Sequence, residues 1–176
     1  MLPDFAYHPD PLSTGSVKAS DAACVCCGQR RGYVYTGPVY CVGTLASEPC
    51  IWCIADGSLA ARYDAELIDV CDAPGNVPRE TIEIIRRRTP GFSGWQQERR
   101  LFHCGDGAAF LGPVGAAKLA AFPDARETLR FEHSTGGWSP EQVDDFLAAL
   151  DEDGDPTAYL FRCRTCGAHL AYADFT

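Results

Sequence analysis

Cysteines are the residues whose type and spacing best suit a chemical role in this chain, which holds ten of them. Cys24 and Cys27 form a CxxC pair followed by Gly28, and Cys50 and Cys53 form a second pair after 22 intervening residues. A CxxC turn lets two thiolates each lie about 2.3 Å from one zinc ion, and two such turns fill a tetrahedral coordination sphere. We therefore predict a zinc site, called site 1, with these four cysteines as ligands. Paired redox thiols and inert buried cysteines are the alternatives.

A second CxxCG knuckle lies near the other end of the chain, at Cys163 and Cys166. It needs ligands from elsewhere, and the phrase "FHCGDG" offers Cys104 with His103 beside it, while His169 follows the knuckle. Three cysteines and one histidine make a chemically reasonable zinc site. We predict such a site, called site 2, with four ligands: His103, Cys104, Cys163 and Cys166. The alternative is a terminal hairpin whose cysteines are simply reduced.

The remaining cysteines have no partner at ligand spacing. Cys26 adjoins Cys27, but only Cys24 and Cys27 have the two-residue spacer, so Cys26 is predicted to be a spectator. Cys41 and Cys71 are predicted to be ordinary thiols.

Motifs of catalysis are incomplete in this sequence. The phrase "PCIWC" matches half of the zinc deaminase signature. The other half needs an upstream metal ligand with a glutamate two residues after it, and the chain lacks this glutamate. Four thiolates also leave no open coordination position for a reactive water. The phrase "GFSGW" lacks the final glycine of a nucleophile elbow, and no Walker-type phosphate loop occurs. We predict no catalytic residue.

The chain is acidic, since 15 Lys and Arg against 24 Asp and Glu give a formal net charge of -9 and a pI near 4.8. This charge makes nucleic acid a poor partner and favours a basic protein. The opening "MLPDFAYHPDPLSTGS" lacks the basic and apolar regions of a signal peptide, and no run approaches the roughly 20 apolar residues of a membrane span. We expect a soluble cytoplasmic protein, in which thiols stay reduced and available to a metal.

Two segments have strong helix signals. "VPRETIEIIRRRT" places Glu80 early and Arg86 to Arg88 late, which suits the helix dipole and predicts a helix over about 79–88. "WSPEQVDDFLAALDEDG" offers Ser139 as N-cap, apolar residues at helical spacing and Gly154 after the end.

Alternating aromatic and aliphatic residues in "GYVYTGPVY" and "AYLFRCRTCGAHLAYADF" predict a short strand and a terminal hairpin. The predicted fold is therefore α+β, with zinc-knuckle or zinc-ribbon-like elements at both ends, short antiparallel strands and several helices. We expect one domain over residues 1–176. Its parts are an N-terminal zinc-knuckle part at about 20–60, a central helical part at about 75–150 and a C-terminal cysteine hairpin at about 157–174.

Aromatic residues outside the cysteine motifs suggest two further roles. Trp95, Gln96 and Gln97 form a dense polar and aromatic patch that can serve as a partner-binding site. We favour a structural interpretation, in which Trp95 fills the core while the glutamines cap backbone groups, and keep partner binding as the alternative. Phe5 and Tyr7 are predicted to pin an extended N-terminal arm.

Several phrases resemble the CbrC family of bacterial proteins over nearly the whole chain: "FAYHPDPLSTGS", "RGYVYTGPVYC", "CIWCIADGSLA", "RRTPGFSGWQQERRLFHCGD" and "YLFRCRTCG". The resemblance implies tolerance to a DNase colicin, with which the founding member is associated, and implies no assigned biochemical activity. Members of that family carry a second cysteine four residues after the one that matches Cys104, where this chain has Ala108. The resemblance thus implies that His103 or another group completes site 2, or that the site has lost its metal.

The functional prediction is a non-catalytic bacterial protein that is stabilised by one zinc ion, or by two, and binds a protein partner. The resemblance implies a basic nuclease toxin as that partner, against which the protein confers tolerance or immunity. One alternative is an enzyme of unknown reaction with a site near four residues: Trp95, Gln96, Glu98 and His103. Another is a redox-responsive or metal-responsive regulator that uses the spare thiols: Cys26, Cys41 and Cys71.

Overall fold

The computed structural model describes residues 1–175, and the chain forms two compact units, Met1–Ser93 and a second that begins at Gly94. The fold is mixed α+β, as predicted, with six helices and seven short strands in the described part of the chain. Cysteine clusters that could form zinc sites lie in each unit. The single domain over residues 1–176 stays a prediction. Within residues 1–175 every helix is too short or too polar to cross a membrane.

The first unit combines a two-stranded sheet with three helices. Strands β1 (Val17–Ala19) and β2 (Tyr33–Tyr35) are antiparallel, with Val17 opposite Tyr35. The helices are α1 (Ile51–Ala55), α2 (Ser58–Tyr63) and α3 (Arg79–Arg88). The third confirms the helix predicted over 79–88, and Arg86 to Arg88 lie in its last turn, where the helix dipole favours positive charge.

The core of the first unit is built around its cysteines. Cys24, Cys50 and Cys53 are buried in one cluster with apolar residues from the N-terminal arm, both strands, α1, α2 and the segment after α2: Phe5, Val17, Tyr35, Ile51, Ile54, Leu59 and Leu67. Phe5 and Tyr7 are buried, which confirms that they pin the N-terminal arm. His8 is fully buried, and its Nδ1 and Nε2 lie 2.8 Å from the Pro90 carbonyl oxygen and 2.7 Å from the Thr14 hydroxyl.

The second unit contains a hairpin, a three-stranded antiparallel sheet and three helices. The hairpin consists of β3 (Phe102–His103) and β4 (Asp106–Gly107). The sheet has the order β5-β6-β7, formed by Ala109–Val114, Thr157–Arg162 and His169–Asp174. The last two strands confirm the predicted C-terminal hairpin. The helices are α4 (Ala116–Leu119), α5 (Pro123–Thr135) and α6 (Pro140–Ala149).

Helix α6 begins where its sequence predicts and ends earlier. The Ser139 side chain accepts from the Gln142 backbone N–H, and the Gln142 side chain accepts from the Ser139 N–H, which is a capping box. The helix ends at Ala149, five residues before Gly154. The Leu150 carbonyl oxygen accepts a hydrogen bond from the Ala116 N–H at 2.8 Å and is therefore not used by a further helical turn.

Helix α5 has 13 residues and was missed by the sequence analysis. Its signals were a proline at the first helical position and the spacing of Ala125, Leu129 and His133, which place one buried side chain on each turn. This helix packs on β7. Its buried face belongs to the core of the second unit, whose members include Val114, Leu119, Val143, Leu147 and Leu160.

Candidate metal centres

Site 1 unites the four cysteines that the sequence pairs as CxxC. The Sγ atoms of Cys24, Cys27, Cys50 and Cys53 all lie within 4.8 Å of one another. Three of their separations are 3.6 Å for Cys50 and Cys53, and 3.9 Å for both Cys24 with Cys53 and Cys27 with Cys50. A tetrahedron with Zn–S bonds of about 2.3 Å has edges of about 3.8 Å. The cluster therefore has the dimensions of a tetrahedral zinc site.

A tight turn presents the first two ligands of site 1. The Cys24 N–H donates to the Gln29 carbonyl oxygen at 3.0 Å, and the Gly28 N–H donates to the Cys24 carbonyl oxygen at 2.8 Å. Gly28 has a φ of 70°, while a Cβ atom there would meet nothing within 4 Å. The glycine is thus needed for the left-handed backbone and not for space.

The other two ligands of site 1 are supplied by helix α1. Cys50 is the N-cap of this helix and Cys53 lies within it, so the helical backbone sets their spacing. An isolated bridge to Val34 joins Cys50 to β2. The Cys50 N–H also donates to the Cys24 Sγ at 3.1 Å. This hydrogen bond links the two pairs directly and stabilises negative charge on the sulfur.

Helix α2 supports the loop that holds the first pair. The Tyr63 hydroxyl donates to the Val25 carbonyl oxygen at 2.9 Å, and the Arg62 guanidinium donates to the Cys26 carbonyl oxygen. Cys26 is buried and lies outside the group of four sulfurs. The backbone of the turn is therefore held from outside the cluster, while the Cys26 thiol supplies no ligand atom to it.

The thiols of site 1 differ in their proton affinity. Burial acts to raise the pKa of Cys24, but backbone N–H groups, that of Cys50 foremost, lower it to about 7. Burial raises the pKa of Cys50 to about 11 and also raises that of Cys53. Only Cys24 of these three buried thiols thus has a pKa near neutral pH, so a dication that binds here must displace protons.

Site 2 brings together the histidine and the three cysteines that the sequence analysis selected. One ligand atom from each of His103, Cys104, Cys163 and Cys166 lies within 4.8 Å of the others. The His103 Nδ1 atom lies 3.2 Å from the Cys104 Sγ and 3.4 Å from the Cys166 Sγ. A zinc tetrahedron has a nitrogen–sulfur edge of about 3.5 Å, so these distances also fit the metal.

A two-residue hairpin turn explains how adjacent residues reach one centre. His103 pairs with Asp106, and the turn residues Cys104 and Gly105 have φ angles of 53° and 73°. Two positive φ values identify a type I′ turn, which normally takes Asn-Gly or Asp-Gly. A left-handed cysteine is unfavourable and occurs mostly at functional sites. The strained position of Cys104 therefore supports a ligand role.

The second knuckle repeats the turn of the first. The Cys163 N–H donates to the Ala168 carbonyl oxygen at 2.7 Å, and the Gly167 N–H donates to the Cys163 carbonyl oxygen at 3.0 Å. Gly167 has a φ of 79°. The Cys166 N–H lies 3.5 Å from the Cys163 Sγ, to which it donates. The same turn thus presents a cysteine pair in both units.

The electrostatics of site 2 parallel those of site 1. Burial acts to raise the pKa of Cys163, but the backbone N–H of Cys166 and a hydrogen bond with His103 lower it to about 6. The nearby thiol of Cys166 raises the pKa of Cys104 to about 11. Each cluster therefore combines one cysteine of low pKa with one of high pKa. A metal ion that binds there must displace the proton of the second thiol.

The other candidate histidine is used elsewhere. His169 lies in β7, and its N–H donates to a carboxylate oxygen of Asp124 at 2.6 Å, while its Nδ1 lies 3.4 Å from the same oxygen. Its ring packs against Phe122. Ala108 is buried, and His103 provides the fourth ligand atom of the cluster.

The two sites differ in exposure. In site 1 only Cys27 is exposed, whereas Cys104 and Cys166 are both exposed in site 2. The buried cysteines of site 1 belong to the core of their unit. Loss of a metal should therefore affect the two units unequally.

Two of the three spare thiols, Cys26 and Cys71, lack the low pKa of a redox sensor. Burial raises the pKa of Cys26, and a hydrogen bond with Asp69 raises the pKa of the exposed Cys71. A reactive thiol needs the opposite shift. Cys41 lies in a cavity of about 640 Å³ in the first unit, with its Sγ 3.7 Å from the Gly43 carbonyl oxygen.

The Trp95, Gln96 and Gln97 patch lies at the surface of the second unit. Trp95 is 54% exposed, so the favoured interpretation, in which it fills the core, is wrong. The Gln96 side chain donates to the Phe175 carbonyl oxygen at 2.5 Å. Its backbone N–H donates to the buried carboxylate of Asp174 at 3.1 Å. A partner-binding role of this patch stays a prediction.

Comparison with known proteins gives the family. The model of the uncharacterised protein family UPF0167 matches residues 2–175. UPF0167 protein Mb2317 of Mycobacterium bovis and MT2352 of Mycobacterium tuberculosis are each 54% identical over 99% of this chain and 94% of their own length. UPF0167 protein PA1536 of Pseudomonas aeruginosa is 40% identical over 99% of this chain and 98% of its own. No solved structure matches.

These findings correct the resemblance to the CbrC family. The matching family model is that of UPF0167, and the relatives carry the UPF0167 name. The colicin tolerance and the toxin partner that the resemblance implied have no support in them. The chain belongs to UPF0167, an uncharacterised protein family.

Proposed function

We propose that this protein is a non-catalytic, zinc-stabilised protein in which both clusters hold structural Zn²⁺. Site 1 takes the ion with Cys24, Cys27, Cys50 and Cys53, and site 2 takes it with His103, Cys104, Cys163 and Cys166. In each site the ion cross-links a CxxC turn to a second segment of the same unit. Binding of zinc then contributes directly to the free energy of folding.

The observation that carries the proposal is the sulfur geometry of site 1. Its separations of 3.6 and 3.9 Å match the edge of about 3.8 Å expected for a tetrahedral site with four thiolates. Disulfides would need bonded sulfurs about 2.0 Å apart, and all ten cysteines are free. Soft thiolate ligands in a tetrahedron favour zinc over hard cations such as Mg²⁺.

A structural role is favoured over a catalytic one because each cluster supplies four protein ligands. A catalytic zinc site keeps one position open for water or substrate. Each cluster also contains backbone N–H groups that donate to a sulfur, such as those of Cys50 and Cys166. Such contacts orient the ligands and reduce their negative charge.

The test is elemental analysis of protein purified without added metal, with Cys53→Ser, Cys166→Ser and Cys71→Ser as variants. We expect two zinc ions per wild-type chain, one for each cluster. Each of the first two substitutions should remove one ion. The Cys71→Ser variant should keep both, since Cys71 is exposed and outside both clusters.

Iron in place of zinc, or a wild-type chain without metal, would contradict the proposal. One zinc ion that survives Cys166→Ser but not Cys53→Ser would limit it to site 1. Circular dichroism of the same samples separates loss of metal from loss of folding.

A further inference from the structure

The second unit has large aromatic side chains that are exposed or half-buried at its surface. Trp95 is 54% and Phe175 is 39% exposed, and Trp138 and Phe146 are half-buried. We call these four residues the aromatic surface. Large exposed aromatic side chains that lie close together mark protein interaction sites more often than scattered single ones do.

Ring contacts make Trp138, Phe146 and Phe175 neighbours, and a hydrogen bond ties the segment that contains Trp95 to Phe175. The Phe175 ring centroid lies 5.8 Å from that of Trp138 and 5.4 Å from that of Phe146. Gln96, which follows Trp95, donates through its side chain to the Phe175 carbonyl oxygen. The Trp95 indole N–H donates to the Thr157 hydroxyl at 3.1 Å, which fixes the indole at the start of β6.

A group of carboxylates borders the aromatic surface. Residues 140–156, which include α6 and the turn that leads to Thr157, contain seven acidic residues and no Lys or Arg. Two of the seven, Asp144 and Glu152, form ion pairs with Arg130 and Lys118, so an excess of negative charge is left. Helix α6 also carries Phe146, so part of this charge lies on the same helix as one ring of the aromatic surface.

One buried polar atom under the same rings, Nε2 of His133, has no hydrogen-bond partner in the described part of the chain. His133 is 8% exposed, and its ring packs against Trp138, Phe146 and Phe175 at centroid distances of 4.7, 4.5 and 6.1 Å. Within residues 1–175, no group forms a hydrogen bond with its buried Nε2 atom. A buried polar atom without a partner is unfavourable, so it is evidence for an unmet hydrogen bond at this place.

We propose that the aromatic surface binds a basic protein segment in which arginine alternates with apolar residues. Guanidinium groups stack on tryptophan faces and also pair with carboxylates, so one arginine can use both features. Apolar residues of the segment would cover the exposed faces of Trp95 and Phe175. The negative charge beside the rings disfavours nucleic acid, anionic lipid and a second copy of this acidic chain.

Fluorescence anisotropy with a fluorescein-labelled peptide of alternating arginine and leucine tests this proposal. The same peptide with glutamine for each arginine is the control ligand. We expect saturable binding that weakens with salt and is lost with the glutamine peptide. The Trp95→Ala and Phe175→Ala variants should each weaken binding roughly tenfold, as residues at an interface hot spot do.

A matched pair of charge variants separates this surface from the general acidity of the chain. Asp145→Asn with Asp153→Asn removes two charges from the acidic segment 140–156, and Asp69→Asn with Asp72→Asn removes two from the first unit. Only the first pair should weaken binding. Equal weakening by both pairs, unchanged binding by Trp95→Ala, or absence of binding would overturn the proposal. A dimer in sedimentation that Trp95→Ala dissociates would assign the surface to a second copy instead and would also overturn it.

Discussion

The imidazole of His103 and the thiol of Cys104 come from adjacent residues, yet the Nδ1 atom of one lies 3.2 Å from the Sγ atom of the other. Consecutive side chains in a strand point to opposite faces of the sheet. Here the strand ends at His103, and the left-handed backbone of Cys104 turns its side chain back toward its neighbour. The hairpin turn thus makes two ligands out of neighbours that a regular strand would separate.

The choice between the two candidate histidines gives the first prediction. His103→Gln should remove zinc from site 2, because it deletes a ligand atom. His169→Gln is the matched control, since His169 pairs with Asp124 instead. We expect the first change to weaken zinc binding at site 2 by more than about a hundredfold, the upper range for residues that only orient a ligand. Competition with a chelator of known affinity measures this, and equal loss in both variants would refute the assignment.

The burial of Cys53 gives a prediction about folding. Cys53→Ser should unfold the first unit, because Cys53 lies in its core and a structural zinc contributes about 10–16 kcal/mol, as much as the whole stability of a typical domain. Cys41→Ser, which changes a thiol outside both clusters, should keep the fold. Hydrogen exchange of backbone amides in α1 and α2 is the measurement. Protected amides in the Cys53→Ser protein would show that the ion is not needed for this unit.

The unequal exposure of the sites predicts two rates of metal loss. A chromogenic chelator should take zinc first from site 2, because Cys104 and Cys166 are both exposed, and more slowly from site 1. The Cys166→Ser protein should show only the slow phase. A single phase in the wild-type protein, or loss of the slow phase in this variant, would contradict the proposed order.

The local parts of both sites were predictable from sequence. The spacer and the following glycine of each knuckle fix a turn of six residues, and the turns at Cys24 and Cys163 have the same hydrogen bonds. The bounds of α3 were also predictable from local sequence. Charged side chains interact with the helix dipole only within the first and last turns, so Glu80 and Arg86 to Arg88 mark the two ends. Local signals therefore sufficed wherever the determining interactions lie within a few residues.

The distant parts were less predictable. The pairing of β5 with β6 joins segments more than 40 residues apart, and no local pattern sets this register. Helix α5 has no side-chain N-cap, and its buried face consists of only three residues, Ala125, Leu129 and His133, so its sequence gives a weak helix signal. The aromatic surface depends on Trp95, Phe146 and Phe175, which only the folded unit brings together.

The capping box of α6 predicts a modest and local effect. Ser139→Ala should lower the free energy of unfolding by about 1 kcal/mol, because the Gln142 N–H loses its acceptor. Ser134→Ala is the control, since Ser134 is an exposed residue inside α5 and alanine is the better helix former there. Urea unfolding followed by circular dichroism measures both. Equal destabilisation by the two changes would mean that the cap contributes nothing specific.

The buried imidazole of His133 predicts a pH dependence of stability. Burial lowers its pKa below the usual value of about 6.5, although Glu132 acts against this. As the pH falls below about 6.5, the unfolded chain gains a proton at this residue while the folded chain does not, so stability is lost on acidification, by up to about 1.4 kcal/mol per pH unit.

His133→Phe keeps an aromatic ring against Trp138 and Phe146 but cannot titrate. Urea unfolding of both proteins at several pH values between about 5.5 and 7.5 should therefore show a shallower pH dependence for the variant. Equal slopes would mean that His133 is protonated equally in the folded and unfolded chains, whereas metal release would affect both proteins alike.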